Sequence, residues 1–473
     1  MKILVSDILS KQGIEILEKA GLTVDVKTKM SKEELLRELK HYDGLIVRSA
    51  TKVTADVIAA AGKLRVIGRA GSGLDNVDTA AATKRGIVVM NTPGGNTVTT
   101  AEHTLALILA LARKIPQATA SMKGGKWEKD RFMGVELYNK TLGIVGMGQI
   151  GSHLAKLAQG MMMSVIAYDP YLAEERARKI INELDLYEAL KSGKVAGAAF
   201  DVFEEEPVKP GHPLLTLDNF ICTPHIGAST TEAQENVAVG IAEQIVDYLT
   251  RGIARGAINI PSVPAEMLPR LQPYITLAEK LGLLHSQLYE GGIERVTIEY
   301  RGEVAGVNVA PLTIAALKGL LTPILEETIN YVNAPVVARE RGIEVKEVKS
   351  SDAGDFTSLV TLQVEAEKKT SRIAGALYGR QDPRIVQLDS FRVEIVPEGH
   401  MLFILNHDRP GVIGQVGQIL GEHQINIARM QCSREEKGGH ALLIVGVDAP
   451  LPAEVLRAVT VAKNIISVKL VRL

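Results

Sequence analysis

His225 and Glu206 are the side chains best suited to proton transfer. A histidine titrates near neutrality, so it can take a hydroxyl proton and return it. His225 stands in Thr223-Pro224-His225-Ile226-Gly227-Ala228-Ser229, just past an apolar run at residues 219–222 that reads as a strand. Glu206 follows another strand-like run at residues 194–203, where a carboxylate could fix the tautomer of a nearby imidazole. Three consecutive glutamates at 204–206 also fit a solvated loop, and a Pro-His pair is common, so both readings stand at this point. A second chemistry lies in Gly146-Met147-Gly148-Gln149-Ile150-Gly151, between an apolar strand at 141–145 and a helical run at 152–158. At such a turn Gly146 permits the tight bend, Gly148 lets a pyrophosphate approach the backbone, and Gly151 lets helix pack on strand. Asp169 ends the next strand, where a carboxylate binds ribose hydroxyls and repels a 2′-phosphate. The spacing therefore predicts NAD rather than NADP. Together the two groups suit hydride transfer between a hydroxyl-bearing carbon and a nicotinamide.

The elements that position these residues alternate strand and helix. Strands are read at residues 2–6, 23–27, 44–48 and 64–69, with helices between them, one opened by the Ser31-Lys32-Glu33-Glu34 capping box. This alternation predicts a doubly wound parallel sheet, whose ligands sit beyond the carboxyl ends of the strands. Arg48 and the loop Ala70-Gly71-Ser72-Gly73 lie at such ends. Arg48 reads as an anion clamp or as a solvated strand-end cation; the glycine loop reads as a source of backbone N–H donors or as a plain turn. Residues 91–96 form a hinge-like linker. A long helix follows at about 100–114, in which His103 reads as a packed helix residue. Another long helix is expected at 232–250.

The 473 residues suffice for about three domains of ordinary size. With 46% hydrophobic and 23% charged residues the chain is globular, and 54 basic against 55 acidic residues argue against a nucleic-acid or polybasic membrane surface. Two cysteines, Cys222 and Cys432, make no disulfide framework and fit a reducing cytoplasm. No signal peptide, membrane span or metal site is expected.

Past Ile260-Pro261 the dinucleotide signals stop. Residues 264–390 mix strands and helices. Residues 400–473 read as a βαββαβ unit, with strands at 401–406, 425–432, 441–447 and 465–471 and a helix opened by Pro410 at its first position.

The run from Arg69 to Asp78, Asn91-Thr92-Pro93-Gly94, Ala101-Glu102-His103-Thr104, the glycine run at 146–151, Phe200-Asp201-Val202-Phe203 through Glu206-Pro207, and the run 223–228 together resemble the D-isomer-specific 2-hydroxyacid dehydrogenases. The likeness is to the long form that acts on 3-phosphoglycerate. It implies His225 as acid/base with Glu206 as its partner. It implies cofactor contacts from Ser72, Gly146, Gly148, Gln149, Ile150, Gly151, Asp169, Asp201, His225, Gly227 and Ala228, and substrate contacts from Arg48, Gly71 and Asn76. The fold implied is two doubly wound lobes, Rossmann-like and flavodoxin-like, plus an α+β regulatory domain and a ferredoxin-like ACT domain. The expected boundaries are 1–97 with 230–262 for the substrate lobe, 98–229 for the NAD lobe, 263–395 for the intervening regulatory domain and 399–473 for the ACT domain. The ACT resemblance places Asn406, Asp408 and Asn426 where L-serine would bind as effector. A homodimer or homotetramer is expected, with contacts through the helix near 100–114 and the ACT domains.

One departure stands out. The arginine run that the resemblance calls for between Asp169 and the strand at 194–203 is absent. Roughly 50 residues, nearly two βα units, are missing near Ile180/Ile181. Arg176 and Arg178 precede the junction but belong to a helix start. An enzyme with an interrupted chain, a non-catalytic effector-binding relative, and a dehydrogenase with a remodelled site all remain open readings.

Overall fold

The computed structural model describes residues 1–169, 183–261, 266–325, 328–366 and 369–473. The junction expected at Ile180/Ile181, with Arg176 and Arg178, lies outside the described residues.

The first lobe is a five-stranded parallel sheet of β1 (Lys2–Val5), β2 (Thr23–Val26), β3 (Gly44–Val47), β4 (Val66–Arg69) and β5 (Val88–Asn91), in the order β2-β1-β3-β4-β5. That is the doubly wound order with a switch point between β1 and β3, which opens a crevice at the strands' carboxyl ends. Apolar residues on both faces explain the near-continuous hydrophobic strands: Ile3, Val5, Ile46 and Val66 pack to one side, Leu4, Leu45, Val47 and Ile67 to the other. The capping box at Ser31 and Glu34 forms as expected. The helix Thr231–Arg251 returns from the second lobe to cover the first face with Val237, Ile241 and Ile245. Gly68 permits this contact, since a Cβ there would lie 2.7 Å from both Ile241 and Ile245 side chains.

The second lobe begins with the helix Thr97–Ala112. Its strands are β6 (Thr141–Val145), β7 (Ser164–Tyr168), β8 (Ala198–Phe200) and β9 (Phe220–Cys222). Among the described residues they form two separate parallel pairs, β6-β7 and β8-β9, rather than one sheet. The physical consequence is exposed apolar surface: Val145 is 59% and Ile166 64% accessible, although parallel strands ordinarily bury both faces.

The third unit packs the helices Leu268–Leu288 and Ala310–Leu321 on a six-stranded sheet. Its strands are β10 (Arg295–Gly302), β11 (Glu344–Ser350), β12 (Ser358–Ala366), β13 (Lys369–Tyr378), β14 (Asp382–Leu388) and β15 (Phe391–Ile395), in the order β11-β10-β12-β13-β14-β15. The last unit contains β16 (His400–His407), β17 (Ile427–Arg434), β18 (His440–Val447) and β19 (Ile465–Arg472) in the order β17-β18-β16-β19, with two helices on one face. Its first helix runs Val412–Glu422, two residues later than Pro410 suggested. Gly411, at φ +93°, adopts a left-handed conformation between the proline and the helix and resets the start. No helix among the described residues is long and apolar enough to cross a membrane.

Candidate active site

Three loops meet at one helical turn. The segment 96–100, which opens the helix Thr97–Ala112, touches each of them. Asn96 Oδ1 accepts the Ser72 hydroxyl at 2.8 Å, Thr97 Oγ1 lies 3.2 Å from Gln149 Oε1, and Thr100 Oγ1 donates to Gly227 O at 3.3 Å. Thr99 and Thr230 hydroxyls, 3.2 Å apart, join the two chain crossings between lobes. Asn96 at the end of the linker and the first turn of the helix are therefore a hub. Sequence reasoning missed Asn96, Thr97 and Thr100, because hydroxyl-to-loop contacts leave no periodic trace.

The proton-transfer pair forms. His225 Nδ1 lies 2.8 Å from Glu206 Oε2, and Glu206 Oε1 accepts the Phe203 amide at 3.0 Å. Burial raises the Glu206 pKa, but the His225 hydrogen bond, the Phe203 amide and the His225 charge outweigh it, leaving the carboxyl below its ordinary value. His225 itself sits at φ +53°, a left-handed conformation unusual for a side chain with a Cβ. Asp201 enforces that shape. Its Oδ1 accepts the Thr223 hydroxyl at 2.6 Å and the Ile226 amide at 2.8 Å; its Oδ2 accepts the Gly227 amide at 2.8 Å. Burial raises its pKa, and these three donors with the nearby His103 pull it to a net lower value. His103 Nε2 lies 3.0 Å from Thr223 Oγ1 and 3.4 Å from Asp201 Oδ1. The helix histidine thus braces the loop from behind.

The glycine run folds as a nucleotide turn. Gly146 has φ +94°. Gly148 caps the helix Gln149–Gly160, and a Cβ on it would meet nothing within 4 Å. A Cβ on Gly151 would fall inside the van der Waals envelope of Gly146 O. So the first and third glycines are needed by the turn itself, while the second leaves open space. Asp169 Oδ2 accepts the Met147 amide at 2.7 Å, which places the acid at the glycine run as its position suggested. Ile150 packs with Ile144 and Leu154 beneath the turn. This donor set and the space over Gly148 fit a dinucleotide.

On the first lobe, Arg48 is partly exposed at the end of β3, and Asp7 Oδ2 accepts its backbone amide at 2.6 Å. Asn76 is 8% accessible and its Nδ2 donates to Arg48 O at 2.5 Å and Thr51 O at 2.6 Å. Both amide hydrogens are consumed, so Asn76 braces the Arg48 segment instead of offering a donor to a ligand. The Gly71 amide is likewise taken, by Thr92 Oγ1 at 2.8 Å. Arg69 was not singled out from the sequence. Its guanidinium lies over Gly71, where any Cβ would collide with it, and its buried Nε has no partner. Burial lowers the Arg69 pKa; Asp75 opposes that, and the charge of Arg48 adds to it. Two guanidinium groups that repel each other at a strand-end crevice suit an anion.

Residues 3–259 match the family described as D-isomer specific 2-hydroxyacid dehydrogenase, catalytic domain. The chain belongs to that family. Residues 270–389 match the D-3-phosphoglycerate dehydrogenase intervening domain, and residues 400–463 match the ACT domain. The D-3-phosphoglycerate dehydrogenase of Archaeoglobus fulgidus is 43% identical over 528 aligned positions, covering 100% of both chains. That of Methanocaldococcus jannaschii is 42% identical over 527 positions, covering 100% of both, and that of Bacillus subtilis 38% over 529, covering 100% of this chain and 99% of the other. These relatives do not favour the non-catalytic reading. Against 473 residues, the 528-position alignment leaves at least 55 positions without a counterpart in this chain.

In the ACT unit the structure separates the effector residues. Asn406 pairs with Ala441, whereas Ile427, the neighbour of Asn426, pairs with Val447 at the other end of β18. Asn426 Nδ2 donates to Asp448 Oδ2 at 2.7 Å, while Asp408 Oδ2 accepts the Gly438 amide at 2.9 Å. Asn406 and Asp408 share an end; Asn426 does not join them within one chain. An antiparallel register puts residues that follow different strand ends far apart, a fact that spacing in sequence cannot show.

Proposed function

We propose that the chain oxidises the C2 hydroxyl of 3-phosphoglycerate with NAD, giving 3-phosphohydroxypyruvate, the first step of L-serine biosynthesis. The observation that carries this reading is the His225–Glu206 pair at 2.8 Å, mounted on a loop tied to the same helical turn as the glycine run and the 71–73 loop. When bound, the nicotinamide accepts the hydride that leaves C2. His225 Nε2, the ring nitrogen that Glu206 does not engage, takes the hydroxyl proton. Glu206 holds the Nδ1–H tautomer and stabilises the imidazolium that forms. Arg48 and Arg69 hold the substrate's anionic groups, with Gly71 leaving room for the Arg69 guanidinium and Asn76 acting through Arg48. Gly146, Gly148 and Gly151 form the pyrophosphate turn, Asp169 meets the ribose, and Ser72, Gln149, Ile150, Asp201, Gly227 and Ala228 border the cofactor.

L-serine is the proposed effector, with Asn406 and Asp408 on one chain and Asn426 supplied by a second copy. Self-association is further supported by the segment 115–138, where Trp127 is 81% and Met133 78% accessible, with Met122, Val135 and Tyr138 also exposed. The proposed location is the cytoplasm.

The deciding experiment is NADH formation from 3-phosphoglycerate by protein whose intact mass confirms 473 residues. Turnover lost in His225→Ala, with NAD affinity retained, is expected. Absence of turnover in the unmodified chain, together with a melting temperature that rises with L-serine, would leave only the effector-binding function.

A further inference from the structure

Among the described residues the third unit reaches into the core of the first lobe at Val332. Val332, 4% accessible, belongs to the apolar cluster formed by Val88 and Met90 of β5 and Ile245 and Leu249 of the helix Thr231–Arg251. Beside it, Asn330 Nδ2 donates to Gly86 O at 2.8 Å. Gly86 has φ +71°, and any Cβ on it would strike the Asn330 amide, so backbone and side chain meet in direct contact. The turn that presents these residues is locked from within. Asn330 Oδ1 accepts the Val332 amide at 2.8 Å and the Asn333 amide at 3.2 Å, and Asn333 Oδ1 accepts the Asn330 amide at 2.8 Å. Lys84 and Glu340, 2.9 Å apart, flank the contact.

What this turn grips is the start of β5. What β5 carries at its other end is the 71–73 loop. Asn91 Nδ2 donates to Ser72 O at 2.6 Å, Thr92 Oγ1 accepts the Gly71 amide at 2.8 Å, and the Thr92 amide donates to Gly71 O at 3.0 Å. A strand of four residues therefore joins the intervening unit to the loop beneath the Arg69 guanidinium.

We propose that Asn330 and Val332 are positioning residues: by clamping the start of β5 they set the 71–73 loop and, through it, the grip on the anionic substrate. The final clause rests on the substrate reading above; the clamp itself does not. It gives the intervening unit a direct mechanical route to the substrate crevice through β5.

The test is amide exchange in the full chain, with 3-phosphoglycerate and NAD affinities measured alongside by calorimetry. Asn330→Asp keeps the oxygen that locks the turn and removes the donor to Gly86 O. The Gly71 and Thr92 amides are expected to exchange about fivefold faster, as befits a lost hydrogen bond felt at a distance, while Ile3 and Leu4 of β1 stay unchanged. Affinity for 3-phosphoglycerate should fall by a similar factor, with a smaller loss of NAD affinity, because Ser72 alone of this loop borders the cofactor. Val332→Ala, which keeps every hydrogen bond, should act in the same direction. Unchanged exchange at Gly71 and Thr92 in both variants overturns the proposal, as does a uniform rise across the lobe. If exchange responds as expected but the unmodified chain binds no 3-phosphoglycerate, the clamp stands and the substrate reading falls.

Discussion

Asp201 Oδ2 accepts the Gly227 amide at 2.8 Å, two residues beyond His225, and so determines where the imidazole stands. A left-handed residue with a Cβ costs roughly 1–2 kcal/mol and persists only where its surroundings fix it. Asp201→Ala removes three acceptor contacts at once. The expected result is a kcat at least about 100-fold lower, since small misplacements of a reacting group cost that much, with a lower melting temperature. The folded pKa of Asp201 lies below its ordinary 3.8, so the carboxylate's contribution is complete above that value and is lost as pH falls through the lower folded value. Melting temperature followed below pH 3.8 should therefore fall more steeply in the parent than in the variant.

Glu206→Gln separates charge from geometry. The amide can still accept from His225, but it no longer stabilises an imidazolium. We expect kcat to fall by about 10- to 100-fold and NAD affinity to hold, because only the developing charge loses its partner. The lowered Glu206 pKa means that its carboxylate is ionised from its ordinary 4.5 upward.

How far the site was legible depended on whether a signal was local. β1, β3 and β4 of the first lobe could be read because each is an apolar run buried on both faces and followed by a helix; β2 could be read although it is half exposed, and β5 was not read from the sequence. The glycine run could be read because Gly146 and Gly151 are required by the turn itself. The bracing contacts of Asp201, Arg69 and Asn76 were not legible in the sequence. Their roles lie in which backbone amide or carbonyl the fold brings within 3 Å, and Asn76 spends its amide hydrogens on Arg48 O and Thr51 O. The placement of Asn426 was hidden for a related reason: the register of β17 against β18, not spacing along the chain, decides which end of the sheet it occupies. In the second lobe the strands were legible individually, but parallel pairing requires partners distant in sequence. Two of the pairs form and no continuous sheet does among the described residues.

Two glycines in one turn should respond in opposite ways. Gly148→Ala adds a methyl group where nothing lies within 4 Å, so the melting temperature should move by no more than about 2 °C, the shift expected of a change below 1 kcal/mol. Its effect should appear as lost NAD affinity, measured by fluorescence quenching or calorimetry, because the methyl occupies the approach to the backbone. Gly151→Ala drives a methyl into Gly146 O and should destabilise the second lobe whether or not NAD is present. If Gly148→Ala left NAD affinity intact, the assignment of that open space to the pyrophosphate would be wrong.

The third unit should carry a pH dependence of its own. His285 is 4% accessible, its Nε2 lies 2.6 Å from Ser371 Oγ, and the Tyr289 ring stacks on it at 4.7 Å. Burial pushes its pKa down from 6.5 to about 4, against the opposing charge of Asp389. In the unfolded chain the same imidazole protonates near 6.5, so the unfolded state binds the extra proton first. Stability owed to the neutral ring is therefore intact above pH 6.5 and declines as pH falls towards 4, by about 3 kcal/mol at 1.36 kcal/mol per unit. His285→Gln offers Ser371 a hydrogen-bonding partner without a titrating group. Denaturant unfolding of the third unit between pH 6.5 and 4 should show a steeper loss in the parent than in the variant. Equal slopes in the two would mean that the buried imidazole is already compensated when protonated, with Asp389, which accepts the Tyr289 hydroxyl at 2.6 Å, as the group close enough to do it.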